Sequence, residues 1–374
     1  MRKIAIVANC WSPSGGVEQV GFDILDALLD SQFKVRLIGF KQIADQSFSV
    51  AGLDSPKILE PRNRRIRSFL MRFQINRFYQ VACAKELKTC ETIIFTHLNS
   101  FLRLSAVAKK KRCILWLHGL EVWGERAKVL EKYVGSNLLV VCVSEYTARH
   151  VERYFPRSRI RVIPNAVDTR KFRPADNPHN IRKGEVLIVS RLAVGRPKGH
   201  DLLFRALPKV QKSLDGPSSL TVVGDGPDRK RLEQYAETCG IRESVNFLGR
   251  VSDEHLVERF QNCAVFCMPA PTGQDRKGNW FGEGFGIVYI QASSCGRPVI
   301  ASDQGGAPET IQDGKTGFTV DPESVDSLET LLCRVLGDDK LATNMGIHGR
   351  KLVEKRFSHK VFVKNLTGIV ENDL

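Results

Sequence analysis

No CxxC pair and no regular cysteine spacing occurs, although ten cysteines are spread through the 374 residues. That argues against a zinc ribbon, a redox dithiol or a disulfide framework. Cys10, Cys142, Cys263 and Cys267 stand in apolar runs of strand character, so buried, reduced thiols are expected. Cys263 and Cys267 have no histidine or second pair nearby, and no metal site is expected there. Long hydrophobic runs are missing too. Stretches such as Leu138–Val143 fall far short of the roughly 20 apolar residues that span a bilayer. The opening MRKIAIVANC passes directly into a strand pattern, so a cytoplasmic protein without a signal peptide is expected. No Ser–His–acid order, HExxH or Walker lysine appears, and the GxGxxG fingerprint is incomplete.

What is present is an ordinary globular composition, 42% hydrophobic and 26% charged, long enough for two α/β domains. The net charge of +15 is unevenly spread. Residues 1–175 carry 30 Lys and Arg against 15 Asp and Glu, whereas the remainder carries 26 of each. Two domains facing different partners follow, the first meeting something anionic. Within it, Arg62–Arg77 (RNRRIRSFLMRFQINR) holds six arginines, and Ile66, Phe69, Leu70 and Phe73 share one helical face. Such a segment, with Arg62, Arg64, Arg65 and Arg67 leading, is compatible with an anionic membrane surface; taken alone, the pattern is read first as a core-packed helix with a solvated basic face. Lys109–Arg112 adds to the positive field.

Short apolar runs alternate with helical stretches along the chain. Lys3–Ala8, Val35–Phe40, Ile93–Thr96, Cys113–Leu117 and Leu138–Val143 read as parallel strands with helices on both faces. His118-Gly119 and Ser144-Glu145 each follow a strand, where open α/β sheets place ligand contacts and helix caps. Ile163–Asp168 (IPNAVD) is a turn suited to an approach between domains, and the polar stretch 174–184 reads as a linker. The rhythm then restarts at Val186–Ser190, Leu220–Val223, Val245–Phe247 and Ala264–Met268. Val361–Leu374 is amphipathic enough for a helix.

The second half is organised around Asn279–Glu309. It reads as a glycine-rich loop (Gly282, Gly284, Gly286), a short apolar helix, a stop at Gly296, a strand Pro298–Ala301 and a second loop at Gly305-Gly306. Loop, helix, strand and loop present backbone N–H groups and a helix N-terminus to an anion. Arg191 and Lys198, seven residues apart after one strand, and the turn Gly224-Asp225-Gly226-Pro227 complete the set. Two fixed cations with a helix N-terminus would stabilise a diphosphate.

These motifs, with Gly15-Gly16-Val17-Glu18, His118-Gly119, IPNAVD, Ser190-Arg191-Leu192, Lys198-Gly199 and Glu283-Gly284-Phe285-Gly286, occur in one order from end to end. The chain resembles the retaining nucleotide-sugar glycosyltransferases of family 4, which have the GT-B fold. The resemblance implies two doubly wound, Rossmann-like α/β domains facing each other across a cleft. Residues 1–175 would hold the acceptor and 176–358 the donor, with 359–374 crossing back to the first domain. It further implies that Arg191 and Lys198 hold the donor diphosphate, with Gly15 and Gly16 approaching from the other domain. Glu283 and the amides of Gly284, Phe285 and Gly286 would contact the transferred sugar and phosphate, and His118 would face that sugar. Gly224, Gly226 and Ile287 complete the donor set. Gln291 stands where the family pattern has a second glutamate for the ribose hydroxyls, which removes the charge assistance of a carboxylate, about 1 kcal/mol.

The activity so implied is transfer of a hexose, with retention, from a nucleoside-diphosphate sugar to a lipid-linked or surface-polysaccharide acceptor at the cytoplasmic membrane face. Glu283 has no acidic partner that would mark double displacement. Glu283, His118, Arg191 and Lys198 are the candidate catalytic residues. Fixed cations take the place of a metal, so neither a cofactor nor Mg²⁺ or Mn²⁺ is expected. A soluble sugar or small-molecule acceptor is one alternative. A non-catalytic binder of nucleic acid or anionic polymer is another; no aromatic-basic platform accompanies the charge, so no nucleic-acid partner is expected.

Overall fold

The structure, a computed structural model, describes residues 2–11, 16–29, 33–41, 57–58, 83, 86–108, 111–177, 181–214 and 216–372. Gly15 and the arginine segment with Arg62, Arg64, Arg65 and Arg67 lie outside the described residues. The chain divides into two units, Met1–Ala166 with His359–Leu374, and Val167–Ser358.

The first unit is one parallel sheet. Its strands are β1 (Lys3–Cys10), β2 (Lys34–Lys41), β3 (Lys57–Ile58), β4 (Thr92–Phe95), β5 (Arg112–Leu117), β6 (Leu138–Cys142) and β7 (Ile160–Val162). They lie in the order β3-β2-β1-β4-β5-β6-β7. β4 and β6 are buried throughout, and β5 from Cys113 onward, which is why they are unbroken apolar runs. On one face Phe101 meets Phe95 and Tyr133 edge-on, with centroids 5.3 and 4.7 Å away. On the other, Trp116 of β5 packs against Phe362 of the terminal helix His359–Asn372. Arg112 Nη2 donates to the carbonyls of Ile369 (3.1 Å) and Val370 (2.7 Å), two acceptors that the end of a helix leaves unmet.

The second unit holds β8 (Arg182–Val189), β9 (Ser219–Val223), β10 (Val245–Gly249), β11 (Cys263–Met268), the hairpin β12 (Gly273–Gln274) and β13 (Trp280–Phe281), β14 (Val299–Ser302) and β15 (Gly317–Val320). Its parallel sheet runs β10-β9-β8-β11-β14-β15. Both sheets reverse their strand order once, at β1/β4 and at β8/β11. The crevice beyond the strand ends at such a switch point is where this architecture binds ligands.

The changeover between units falls at Ala166–Val167, inside IPNAVD, and not along 174–184 or at residue 175. The segment after Val167 belongs to the second unit because it is tied there. Val167 N–H donates to Phe357 O, Phe172 meets Phe260 edge-on, and Ser294 Oγ and Arg350 Nη1 both donate to Phe172 O. Its polar, proline-bearing surface resembles a linker, while one buried phenylalanine anchors it. Cys142, Cys263, Cys267 and Cys295 are free and buried, and Cys113 is buried as well. Burial pushes the thiols of Cys113 and Cys295 up to about 12, so neither is a nucleophile near neutral pH.

Candidate active site

At the end of β8 the chain runs through Ser190 and Arg191 to Lys198, and Gly199 starts the helix His200–Ser213 with φ 88°. A Cβ on Gly199 would stand 2.4 Å from Pro269 O, so the loop is pressed against the chain leaving β11. His200 is buried and shares a hydrogen bond of 3.3 Å with Ser190 Oγ; burial pulls its imidazole down to about 4. Gly224 has φ 122°, and a Cβ there would fall 1.9 Å from Ser190 O. Leu192 N–H donates to Asp225 O and Asp228 N–H to Leu192 O. Gly224 and Gly226 therefore hold the arm that carries Arg191. Arg191 itself is exposed and has no hydrogen-bond partner among the described residues. It lines a cavity of about 130 Å³ with Arg196, Lys198, Arg205, Arg231 and Pro271. Of these cations, Arg231 is held by Asp201 and Asp228.

Lys198 Nζ donates to Glu283 Oε1, and both side chains are more than four-fifths buried (17% and 18% exposed). Glu283 sits between Gly282 and the helix Ile287–Ser294, which begins at Gly286 with φ 90° and no side-chain cap. Tyr289 fills the space where a Gly286 side chain would go and anchors the helix by donating to Met268 O at 2.8 Å. Gly306 N–H donates to Glu283 O, joining the two glycine loops, and a Cβ on Gly306 would meet Gly284 O at 2.1 Å. Thr272 is wedged between them, its Oγ1 2.5 Å from the Cβ position of Gly282 and 2.7 Å from that of Gly305. Gln304 Oε1 accepts from Thr272 N–H at 2.9 Å. The donor contact expected of Phe285 is its amide, and its side chain turns the other way. Its ring is buried against Phe357, 5.7 Å between centroids, so only its backbone faces the loop. Ile287 and Gln291 are half-buried one turn apart, and the Gln291 side chain has no partner among the described residues.

In the first unit, Gly16 opens the helix Gly16–Leu29 beside the β1/β4 switch point. His118, just past β5, donates from Nε2 to Thr96 O at 2.7 Å. Its own N–H donates to Glu121 Oε1 at 2.6 Å. His97, just past β4, caps the helix Leu98–Arg103 by accepting the Asn99 N–H at Nδ1, 3.0 Å. The two rings are nearly parallel, 20° apart, with centroids separated by 6.2 Å. Sequence reasoning passed over His97, His200 and Thr272. No motif marks them; they matter through contacts between strand ends distant in the chain. Among the described residues, no three His, Cys, Asp or Glu side chains are grouped as a metal site, and no helix is long and apolar enough to cross a membrane.

Two doubly wound units, one of them with a lysine–glutamate pair and an uncapped helix at its switch point, make up the GT-B architecture. Residues 14–171 match Glycosyltransferase Family 4 and residues 170–352 match Glycosyl transferases group 1. The GDP-mannose-dependent alpha-(1-6)-phosphatidylinositol monomannoside mannosyltransferase of Mycobacterium tuberculosis is 35% identical over 280 residues, 71% of each chain. The chain therefore belongs to glycosyltransferase family 4. Sucrose-phosphate synthase from Thermosynechococcus elongatus shares the fold with a TM-score of 0.78, at 20% identity over 99% of this chain and 98% of that one. Anabaena HepE, solved with UDP and glucose, has a TM-score of 0.77 at 17% identity, covering 99% of both chains.

Proposed function

We propose that this glycosyltransferase moves a mannose-type hexose from GDP-mannose, with retention, onto a hydroxyl of a lipid-linked acceptor at the cytoplasmic membrane face. The donor and acceptor class rest on the mycobacterial relative's name and its 35% identity. The observation that carries the reaction is the Lys198–Glu283 pair at the mouth of the uncapped helix Ile287–Ser294. An ammonium has three donors, and Glu283 takes one, leaving two for phosphate oxygens. Arg191, with no other partner among the described residues, adds a bidentate fork. As the anomeric C–O bond to the diphosphate breaks, these cations and the helix amides stabilise the charge that gathers on the leaving oxygen. The acceptor oxygen bonds to the same face of the anomeric carbon, and its proton passes to the departing phosphate. Charge neutralisation by fixed side chains makes transfer independent of a metal ion. Gln291 accepts from a ribose hydroxyl without a carboxylate's charge.

The test is a thermal-shift comparison of GDP, UDP and ADP, followed by transfer from labelled GDP-mannose to phosphoinositide-type lipids and to soluble sugars. GDP should raise the melting temperature most, and label should enter the lipid fraction. Preference for UDP removes the donor assignment, and label only in soluble products removes the lipid acceptor. Transfer unchanged in Arg191→Ala/Lys198→Ala removes the diphosphate roles.

A further inference from the structure

Beside the switch point of the first unit stands a histidine that the family motifs leave unassigned, His97. His97 and His118 end the adjacent strands β4 and β5, and their hydrogen bonds fix where each ring carries its proton. Thr96 O can only accept, so His118 Nε2 bears the hydrogen, and in the neutral ring Nδ1 keeps its lone pair. The Asn99 N–H can only donate, so His97 Nδ1 is bare and its hydrogen sits on Nε2. Neither His118 Nδ1 nor His97 Nε2 has a hydrogen-bond partner among the described residues. Burial holds the His97 imidazole below its ordinary value, outweighing Glu121 and Glu18, so the ring stays neutral.

One acceptor and one donor on nearly parallel rings make a selective pair. A phosphate or carboxylate needs donors from both, and an apolar group satisfies neither. A hydroxyl both donates and accepts, so two neighbouring hydroxyls on one ring match the pair. We propose that His97 is a substrate contact that sets specificity: its Nε2–H donates to one hydroxyl of a sugar or cyclitol ring whose neighbouring hydroxyl donates to His118 Nδ1. This rests on the transferase reading above, and the ring is either the transferred sugar or a polyol acceptor.

His97→Ser tests it, because serine keeps a cap for the Asn99 N–H and removes the distant donor. The melting temperature should hold while kcat/KM falls about tenfold. Deoxy analogues of donor and acceptor then locate the hydroxyl. The analogue lacking it is poor for the wild type, and His97→Ser no longer distinguishes it from the parent compound. Loss of discrimination on the donor side, with slower donor hydrolysis in the absence of acceptor, assigns the transferred sugar. Loss on the acceptor side, with hydrolysis intact, assigns the acceptor. Wild-type kcat/KM and discrimination in a folded His97→Ser protein overturn the inference. If His97→Ser melts early, His97→Asn, another capping residue, takes the same tests. Imidazole ¹⁵N spectra of the wild type report without turnover. Donor or acceptor should move His97 Nε2 and His118 Nδ1 together, and no movement at saturation overturns the contact. A wild type that transfers nothing defeats the transferase reading, while these spectra still decide the contact.

Discussion

Glu283 and Lys198 neutralise one another where two glycine loops converge, and each is too buried to be left alone. Replacing one partner strands the other's charge in a poorly solvated place. Lys198→Met should therefore cost about 2–3 kcal/mol of stability, read as a lower urea midpoint, and should abolish transfer. Adding Glu283→Gln to Lys198→Met removes the stranded charge and should recover most of that stability. Transfer should stay lost, because the diphosphate still lacks its cation. A double variant that regains transfer would make the pair a structural tie and nothing more.

At the scale of elements, the candidate donor site depends on loops that hold one another. Gly224 lets its turn close onto Ser190 O, and the φ of 122° there suits glycine alone. Gly224→Ala should displace the Arg191 arm and weaken nucleotide binding about tenfold, measured by calorimetric titration. The strands were legible because both faces are covered, which makes β4, β5 and β6 continuous apolar runs. Glu283, Lys198 and Arg191 were legible as charges among glycines. The ring of Phe285 turning inward and the wedge of Thr272 were not, because periodicity says nothing about which loops touch. Nor did periodicity show what the terminal helix covers. Asp23, on the helix Gly16–Leu29, is buried, its Oδ2 has no hydrogen-bond partner among the described residues, and it feels the charge of His359 on that last helix. Burial outweighs the Gln19 hydrogen bond and the His359 charge, lifting its carboxyl from 3.8 to about 6. The folded value lies above the unfolded one, so the native state binds the extra proton between about 4 and 6 and loses stability as pH rises through that window. Asp23→Asn keeps an acceptor for Gln19 and should remove that slope, stabilising the protein at pH 8 by on the order of 2 kcal/mol. Thermal melts from pH 4 to pH 8 that run parallel for variant and parent would refute it.

Across the whole molecule, charge separates what the two halves meet. Residues 176–374 are balanced, whereas residues 1–175 carry twice as many cations as anions. A water-soluble nucleotide sugar needs only the few cations of one switch point. On the proposed reaction a lipid-linked acceptor would stay in the membrane, and the protein would have to come to a surface whose cytoplasmic leaflet is anionic. Each Lys or Arg near such a surface contributes about 1 kcal/mol, and the contribution fades with salt. The arginines at 64, 65 and 67 belong to a stretch of sequence, outside the described residues, whose apolar spacing would put Ile66, Phe69, Leu70 and Phe73 on one side of a helix, the pattern expected to lie flat in a headgroup region. Sedimentation should therefore show binding to vesicles containing phosphatidylserine or phosphatidylinositol, weak binding to phosphatidylcholine, and release by salt. Arg64→Ala/Arg65→Ala/Arg67→Ala should weaken it at least tenfold and slow transfer to vesicle-borne acceptor. GDP should raise that variant's melting temperature as much as the parent's, since the donor cations are untouched. Equal binding to neutral and anionic vesicles, or a triple variant that sediments like the parent, would leave the basic excess unexplained by a membrane.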